Sequence, residues 1–375
     1  MKKILILYAA YGGGHFSAAK SIKKFLDDNF EVETEIIDCI EYINKALNKI
    51  TTGAYKEMAR KVPNLWGNIY MHSQRGILGH VSSRANKIMA IKLKNLVKES
   101  NPDLVISTHP FSSQMISYLR KKGKIDCKLV TVLTDFAPHD QWLIGHEFTE
   151  CFFVANDNMK EYLVSYGVES SKIHVTGIPL SEKFFQQFNK DEIFNEFKLD
   201  KTKPVILFFG GGEFGLGKDR TIQILDALIH NLTTCQIIAI SGKNKKMNQA
   251  FIDLVNKSNS SDRVRVLDYT NKVPELMSIS NLVVTKPGGL TTSESLASDL
   301  PMLVINPIPG QEEENAEFLE AHNVAVWLRK NDDPNKVIVD LFNNPEKIED
   351  MKKNAKLLAK RNSTKDICNI LMKLI

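Results

Sequence analysis

Cysteine is scarce and dispersed. The five in 375 residues (Cys39, Cys127, Cys151, Cys235 and Cys368) include no C-x-x-C pair. That pattern excludes a disulfide framework and a zinc ribbon, and it fits a reducing compartment. Long apolar runs are missing too: no segment reaches the roughly 18–20 consecutive apolar residues that a membrane-spanning helix requires. The start, Met1-Lys2-Lys3-Ile4-Leu5-Ile6-Leu7-Tyr8, has the charge and apolarity of a short signal peptide. Its apolar run is brief, however, and passes into Gly12-Gly13-Gly14 without an A-x-A site, so it reads as a first buried strand. Glycine and proline, at 20 and 13, are too few for a collagen-like or low-complexity chain. The expectation is a cytoplasmic protein that does not cross a membrane.

What is present is the composition of a globular protein, 43% apolar and 25% charged. The length suggests two domains, each able to bury a core of its own. The formal net charge is a modest +5, but it is unevenly placed. Between Glu41 and Lys98 stand eleven Lys and Arg against two acids, a local excess of nine positive charges, so the remainder is slightly acidic. In that segment Leu47, Ile50, Ala54 and Met58 recur at helical spacing, and Leu65, Trp66, Ile69, Tyr70, Ile77 and Leu78 follow among the basic residues. A solvated helical insert packed on its own domain explains such a stretch, as does a surface for an anionic partner. No recognised nucleic-acid-binding module accompanies it.

Short β-rich apolar runs alternate with amphipathic helical patterns along most of the chain. Strands are expected at 3–9, 32–39, 104–108, 128–133, 151–155 and 174–176. After a polar stretch at 198–203 they resume at 204–209, 236–241, 264–267, 282–285, 301–306 and 325–328. Near-continuous apolar strands separated by helices are the pattern of parallel sheets covered on both faces. Helical spacing puts Ala18, Ile22, Phe25 and Leu26 on one face. The last thirty residues, from Glu346, read as helix with Leu357, Leu358, Ile367, Ile370 and Leu371 opposite the charges. The fold class is therefore α/β. Two Rossmann-like domains, 1–180 and 181–355, are expected to join near Gly177-Ile178-Pro179, with a C-terminal helix over 356–375.

Four loops are candidates for chemistry, each weak alone. Tyr11-Gly12-Gly13-Gly14-His15 follows the first strand and opens a helix. Its glycines let the backbone turn and approach a ligand, the helix N-terminus favours an anion, and an imidazole at the mouth of a sheet is a candidate general base. It is not the G-x-G-x-x-G of a dinucleotide site, and a glycine turn with a surface histidine is the competing reading. Phe208-Phe209-Gly210-Gly211-Gly212-Glu213 opens the second domain. Thr285-Lys286-Pro287-Gly288-Gly289-Leu290-Thr291-Thr292-Ser293-Glu294 joins a strand end, a glycine pair, hydroxyls and a carboxylate one turn into a helix. Backbone N–H groups and hydroxyls there suit a diphosphate, and Glu294 suits two ribose hydroxyls or, equally, a capping role. Pro307-Ile308-Pro309-Gly310-Gln311-Glu312-Glu313-Glu314-Asn315 offers polar side chains to sugar hydroxyls, or simply acids to a helix dipole.

Taken in order, Gly12-Gly13-Gly14-His15, Thr134-Asp135, Thr176-Gly177-Ile178-Pro179, Lys286-Pro287-Gly288-Gly289 through Glu294, and Pro309-Gly310-Gln311-Glu312 are more specific. Together they resemble glycosyltransferase family 28, in the monogalactosyldiacylglycerol synthase and processive diacylglycerol glucosyltransferase type, from Lys3 to about Leu328. The resemblance implies a GT-B fold: two Rossmann-like domains facing across a cleft, with the final helix crossing back to the first. It also implies an inverting transfer of a hexose from a UDP-sugar to diacylglycerol or a glycosyl-diacylglycerol, with no metal and no cofactor.

Carried over residue by residue, His15 becomes the base. Some relatives carry an acid just before the glycines, whereas here Ala9-Ala10-Tyr11 has none, so Asp135 is the candidate carboxylate to orient it. Gly13, Gly14 and His109 fall on the acceptor side; Trp142, after Asp135, is either at the acceptor mouth or a buried core tryptophan. Gly211, Gly212, Gly288, Gly289, Thr291 and Thr292 are assigned to the diphosphate, Glu294 to the ribose, and Gln311 and Glu312 to the hexose hydroxyls. The basic segment becomes a docking surface for an anionic membrane, roughly 1 kcal/mol per basic residue near it. The expected partners are a UDP-sugar, the lipid acceptor and the inner face of the cell membrane, with no nucleic acid. Rival readings of the same motifs are a related enzyme with a polyprenyl-linked acceptor, a UDP-sugar epimerase, and a non-catalytic nucleotide-sugar-binding regulator.

Overall fold

A computed structural model describes residues 1–10, 13–47, 90–137, 139–210 and 217–375, with 44–47 by backbone alone. They form two compact units, 1–181 together with 362–375, and 182–361. Each unit is built on a six-stranded sheet, and every strand pairing is parallel. All the expected strands are present, with ends that agree within one residue.

In the first unit the chain runs β1 (Lys2–Tyr8), α1 (Gly14–Asn29), β2 (Val32–Asp38), α2 (Cys39–Leu47), α3 (90–100) and β3 (Leu104–Ser107). It continues through α4 (Pro110–Lys121), β4 (Lys128–Val132), β5 (Cys151–Val154), α5 (Asp157–Ser165) and β6 (Ile173–Val175). The strand order is β2-β1-β3-β4-β5-β6. Strand β1 shows why a continuous apolar run was the right signal. Ile4 and Ile6 enter one core cluster, with Ala19, Ile22 and Leu26 of α1, while Leu5 and Leu7 enter another on the opposite face. A strand buried on both faces has no polar side to alternate with.

The second unit runs α6 (Lys190–Glu196), β7 (Val205–Phe209), α7 (Lys218–Asn231), β8 (Gln236–Ile240), α8 (Lys245–Lys257), β9 (Val264–Leu267) and α9 (Val273–Ile279). Then come β10 (Leu282–Thr285), α10 (Gly289–Ala297), β11 (Met302–Ile305), α11 (Gln311–Ala321), β12 (Ala325–Leu328), α12 (Pro334–Phe342) and α13 (Pro345–Leu358). The strand order is β12-β11-β10-β7-β8-β9. The chain then returns to the first unit as α14 (Ser363–Leu374). Ile367, Cys368 and Leu371 of α14 complete the cluster formed by α1 and the even positions of β1. At about 1.5–3 kcal/mol per fully buried aliphatic side chain, that contact anchors the C-terminus firmly.

The single long C-terminal helix expected from Glu346 is two helices. Ala359 adopts an extended backbone, and α13 and α14 belong to different units. Leu357, expected on the apolar face, is 82% exposed, whereas Ile367 and Leu371 are fully buried. The periodicity was real on both sides of the break, but the break shifts its phase.

In both units strand order reverses, at β1/β3 in the first and at β7/β10 in the second. At such reversals adjacent loops leave in opposite directions, which opens a crevice at the carboxyl ends of the strands. The glycine loops follow β1, β7 and β10. Gly210, directly after β7, has a structural reason to be glycine: a Cβ there would lie 2.6 Å from Cζ of Phe251. Gly210→Ala is expected to lower stability by about 1–3 kcal/mol through overpacking, read as a fall in the chemical-denaturation midpoint. An unchanged midpoint would show that Phe251 yields freely. Among the described residues no helix is long and apolar enough to cross a membrane.

Candidate active site

The first unit assembles its candidate groups where β1, β3 and β4 end. His15 stands in the first turn of α1, half-buried. Its Nδ1 is 2.7 Å from the carbonyl oxygen of Thr108, and Thr134 Oγ1 is 2.9 Å from the same nitrogen. The Thr108 hydroxyl in turn donates to the His15 carbonyl at 3.0 Å. A carbonyl only accepts, so Nδ1 carries the hydrogen and the neutral ring keeps its lone pair on Nε2. Burial pushes the His15 pKa below the ordinary imidazole value, while the Asp135 charge and the Thr108 bond act upward and His139 acts downward. The His15 ring is thus held in a fixed orientation, with its neutral form favoured.

Asp135, Trp142 and His139 lie together beyond the end of β4. Trp142 Nε1–H donates to Asp135 Oδ2 at 3.2 Å, and His139 Nε2 is 3.5 Å from the same oxygen. Trp142 is 1% exposed, which places it inside the protein holding Asp135, the second of the two expected positions. His109 caps α4: its Nδ1 accepts the Phe111 N–H at 3.1 Å, which puts its own hydrogen on Nε2. Its ring stands edge-on to that of His15, centroids 4.5 Å apart, and burial drives its pKa well below the ordinary value. Gly13 precedes α1 with open space where a Cβ would be, and Gly14 begins the helix beside it. No packing inside the unit demands a glycine at position 13.

In the second unit Gly288 precedes α10 with no side-chain cap, and Gly288, Gly289 and Thr291 are partly exposed at its N-terminus. Thr292 is fully buried, and its hydroxyl has no hydrogen-bond partner among the described residues. Glu294 is half-buried and no described residue bonds or pairs with its carboxylate. Burial alone raises its pKa to about 8. The acid is therefore not a capping-box member. Glu313 takes that role at the next helix, where Gly310 N–H donates to Glu313 Oε2 at 3.1 Å and Gly310 has φ 93°. Glu312 reaches between two loops: Oε2 accepts the Ile308 N–H at 2.7 Å, and Oε1 lies 3.8 Å from where a Gly288 Cβ would stand. Asn315 Nδ2 donates to the Pro287 carbonyl at 2.9 Å, which fastens α11 to the loop before α10. Gln311 opens α11, partly exposed.

The structure thus gathers His15, His109, Thr134 and Asp135 at one crevice and the 288–294 and 308–315 stretches at another. Gly211 and Gly212 lie outside the described residues, as do Gly12 and the basic stretch from 48 to 89 with its apolar pattern from Ile50 to Leu78. Sequence reasoning missed the Thr108 carbonyl, the Thr134 hydroxyl as a ring partner, and His139. A backbone carbonyl has no side-chain signature, so no motif announces it. His139 had one signal, an i, i+4 spacing from Asp135 in a stretch with no helical periodicity.

A family model described as monogalactosyldiacylglycerol (MGDG) synthase matches residues 15–180, and one described as the glycosyltransferase family 28 C-terminal domain matches 205–368. A processive diacylglycerol beta-glucosyltransferase of Bacillus pumilus is 30% identical over 98% of this chain and 93% of its own length. The fold also matches solved structures. MurG of Acinetobacter baumannii superposes with a TM-score of 0.66 at 15% identity, covering 100% of both chains. An S. aureus MnaA–UDP co-structure does so at 0.66 and 14% identity, covering 100% of this chain and 98% of the other. At such identities the likeness shows the GT-B fold and nothing further.

Proposed function

This chain belongs to glycosyltransferase family 28, in the monogalactosyldiacylglycerol synthase and processive diacylglycerol glucosyltransferase type, and on that premise we propose that it transfers a hexose from a UDP-sugar to diacylglycerol or a glycosyl-diacylglycerol, inverting the anomeric carbon. His15 Nε2 takes the proton of the acceptor hydroxyl as that oxygen bonds to the sugar C1. The bond from C1 to the diphosphate oxygen breaks, and its electron pair leaves with UDP. The imidazolium so formed is stabilised by Asp135, whose charge acts upward on the His15 pKa.

The donor is assigned to the second unit. The uncapped N-terminus of α10, with Gly288, Gly289 and Thr291, suits the leaving diphosphate in place of a cation. Gly211 and Gly212 would let the preceding loop approach the same phosphates. Thr292 supports that turn from inside. Glu294, half-buried and without a partner among the described residues, suits the two ribose hydroxyls, and Gln311 and Glu312 suit the hexose. Diacylglycerol lies in a bilayer, so the basic 41–98 segment is assigned to the anionic inner face of the cell membrane.

The observation that carries this reading is the fixed ring of His15, whose Nδ1 is spent on the Thr108 carbonyl and whose Nε2 is left for an incoming hydroxyl. The test uses purified protein with anionic liposomes containing diacylglycerol and either UDP-glucose or UDP-galactose. UDP release that requires the lipid, with sugar appearing on it, is expected. Conversion of a UDP-sugar without lipid would favour an epimerase. Binding without turnover on any acceptor would favour a regulator.

A further inference from the structure

The His15 ring is bonded to a backbone carbonyl and a hydroxyl, which come from the ends of neighbouring strands. Thr108 follows β3, and Thr134 stands two residues after β4. Thr108 is fixed on two sides: its N–H donates to the Leu7 carbonyl at 3.0 Å, and its hydroxyl donates to the His15 carbonyl at 3.0 Å. Thr134 is 4% exposed and lies between two anchored neighbours. Leu133 N–H donates to the Phe153 carbonyl at 2.9 Å, and Asp135 Oδ2 accepts the Trp142 Nε1–H at 3.2 Å. The Thr134 hydroxyl oxygen is 2.9 Å from His15 Nδ1, and the Thr108 carbonyl oxygen is 2.7 Å from the same nitrogen. Because the carbonyl can only accept, the hydrogen on Nδ1 is shared between two oxygens in a three-centre bond. Among the described residues, Thr134 is the one whose side chain hydrogen-bonds this ring. A basic imidazole is commonly oriented by a carboxylate or a carbonyl, but an oxygen lone pair is all that Nδ1–H requires.

We propose that Thr134 is a positioning residue for His15: its hydroxyl oxygen is the second acceptor for Nδ1–H and, with the Thr108 carbonyl, keeps Nε2 open to the acceptor hydroxyl. A single acceptor restrains the ring along one direction, whereas a second, carried by another strand, restrains its rotation about the Cβ–Cγ bond. As Nε2 takes the proton, Nδ1–H becomes a charged donor and both of its bonds strengthen. The hydroxyl therefore stabilises the ring more during transfer than in the resting protein, which is the condition for raising a rate. The other titratable groups around the ring are Asp135 and His139 from the stretch after β4, and His109 at the start of α4. Asp135 acts upward on His15, His139 acts downward, and the His109 ring stands edge-on at 4.5 Å. All three remain when Thr134 alone is changed, so a substitution there isolates the hydroxyl. The proposal rests on the reading of His15 as the base.

The test separates that reading from the proposal, because nitrogen NMR of the His15 ring needs no substrate. In the unmodified protein, above the midpoint of its titration, the hydrogen should be found on Nδ1 and Nε2 should be bare. Thr134→Val keeps the shape of the side chain and removes its oxygen. The His15 midpoint should then fall by about one pH unit, since an acceptor that favours the imidazolium is gone. Thr134→Ser, which restores the oxygen, should return the midpoint to that of the unmodified protein. In the liposome assay Thr134→Val should lower kcat about ten-fold, the same free energy as one pH unit. The KM for the UDP-sugar should not change, because the donor residues are assigned to the second unit, and Thr134→Ser should recover most of the rate. A hydrogen on Nε2 in the unmodified protein would overturn the proposal, because Thr134 would then be donating to Nδ1. That result requires no variant to fold. A midpoint in Thr134→Val that is unchanged or raised, or a serine variant that behaves like the valine one, would overturn it as well. If the unmodified protein releases no UDP with lipid, the proposed transfer fails while the NMR measurements still decide the role of Thr134.

Discussion

His15→Ala is expected to lower lipid-dependent UDP release about 100- to 10,000-fold, the usual contribution of a positioned general base, while UDP-sugar binding is retained. The second expectation follows because the donor residues assigned here lie on the second unit and His15 on the first. The direction of the pH effect is also determined. Burial lowers the His15 pKa from its ordinary 6.5, so the base form persists below the pH at which a free imidazole would be half protonated. The acid limb of the profile should therefore lie below that ordinary value, and His15→Ala should abolish the limb along with the rate. Because the unfolded chain binds the proton more readily, the native protein also loses stability as pH falls below 6.5 toward the folded value, a loss absent in the alanine variant. Turnover at the normal rate in His15→Ala would remove this residue as the base.

Glu294→Gln should weaken UDP binding about 10- to 100-fold, as expected for losing hydrogen bonds to a charged acceptor. The pH dependence is the sharper part. The Glu294 carboxyl, with a pKa of about 8 from burial alone, is largely protonated at neutral pH when no ligand is present. Ribose hydroxyls donate only to the ionised form without competition from its own proton, so binding should release a proton below pH 8 and tighten as pH rises toward 8. Isothermal titration in buffers of different ionisation enthalpy reads that proton directly. The stability sign is opposite to that of His15: with a folded pKa above the ordinary 4.5, native stability declines as pH climbs from 4.5 through 8. The ligand-free glutamine variant should escape that decline. Binding that releases no proton and has the same pH profile in both proteins would exclude Glu294 from the ribose site.

The sequence was a good guide wherever burial on both faces left a continuous apolar run, as at 282–285, which is a strand with those limits. Spacing also placed His15 at the mouth of the first sheet and Glu294 one turn into α10. It misled at the C-terminus, where Leu357 kept helical phase but lost its partner because the chain leaves the second unit a few residues later. It left Trp142 open between an acceptor mouth and the core, since an aromatic near a polar loop reads the same whether it faces a ligand or holds a buried carboxylate.

By itself, the sequence determined the α/β class, the strands and the candidate base and ribose acid, because hydrophobic period and glycine placement are local properties. Only the tertiary structure decided which tautomer His15 adopts, which groups share Asp135, and why Gly210 must be glycine. Those facts depend on atoms brought together from distant positions, a carbonyl at Thr108, a ring at His139 and a ring at Phe251, and no local pattern in a chain encodes the distance between them.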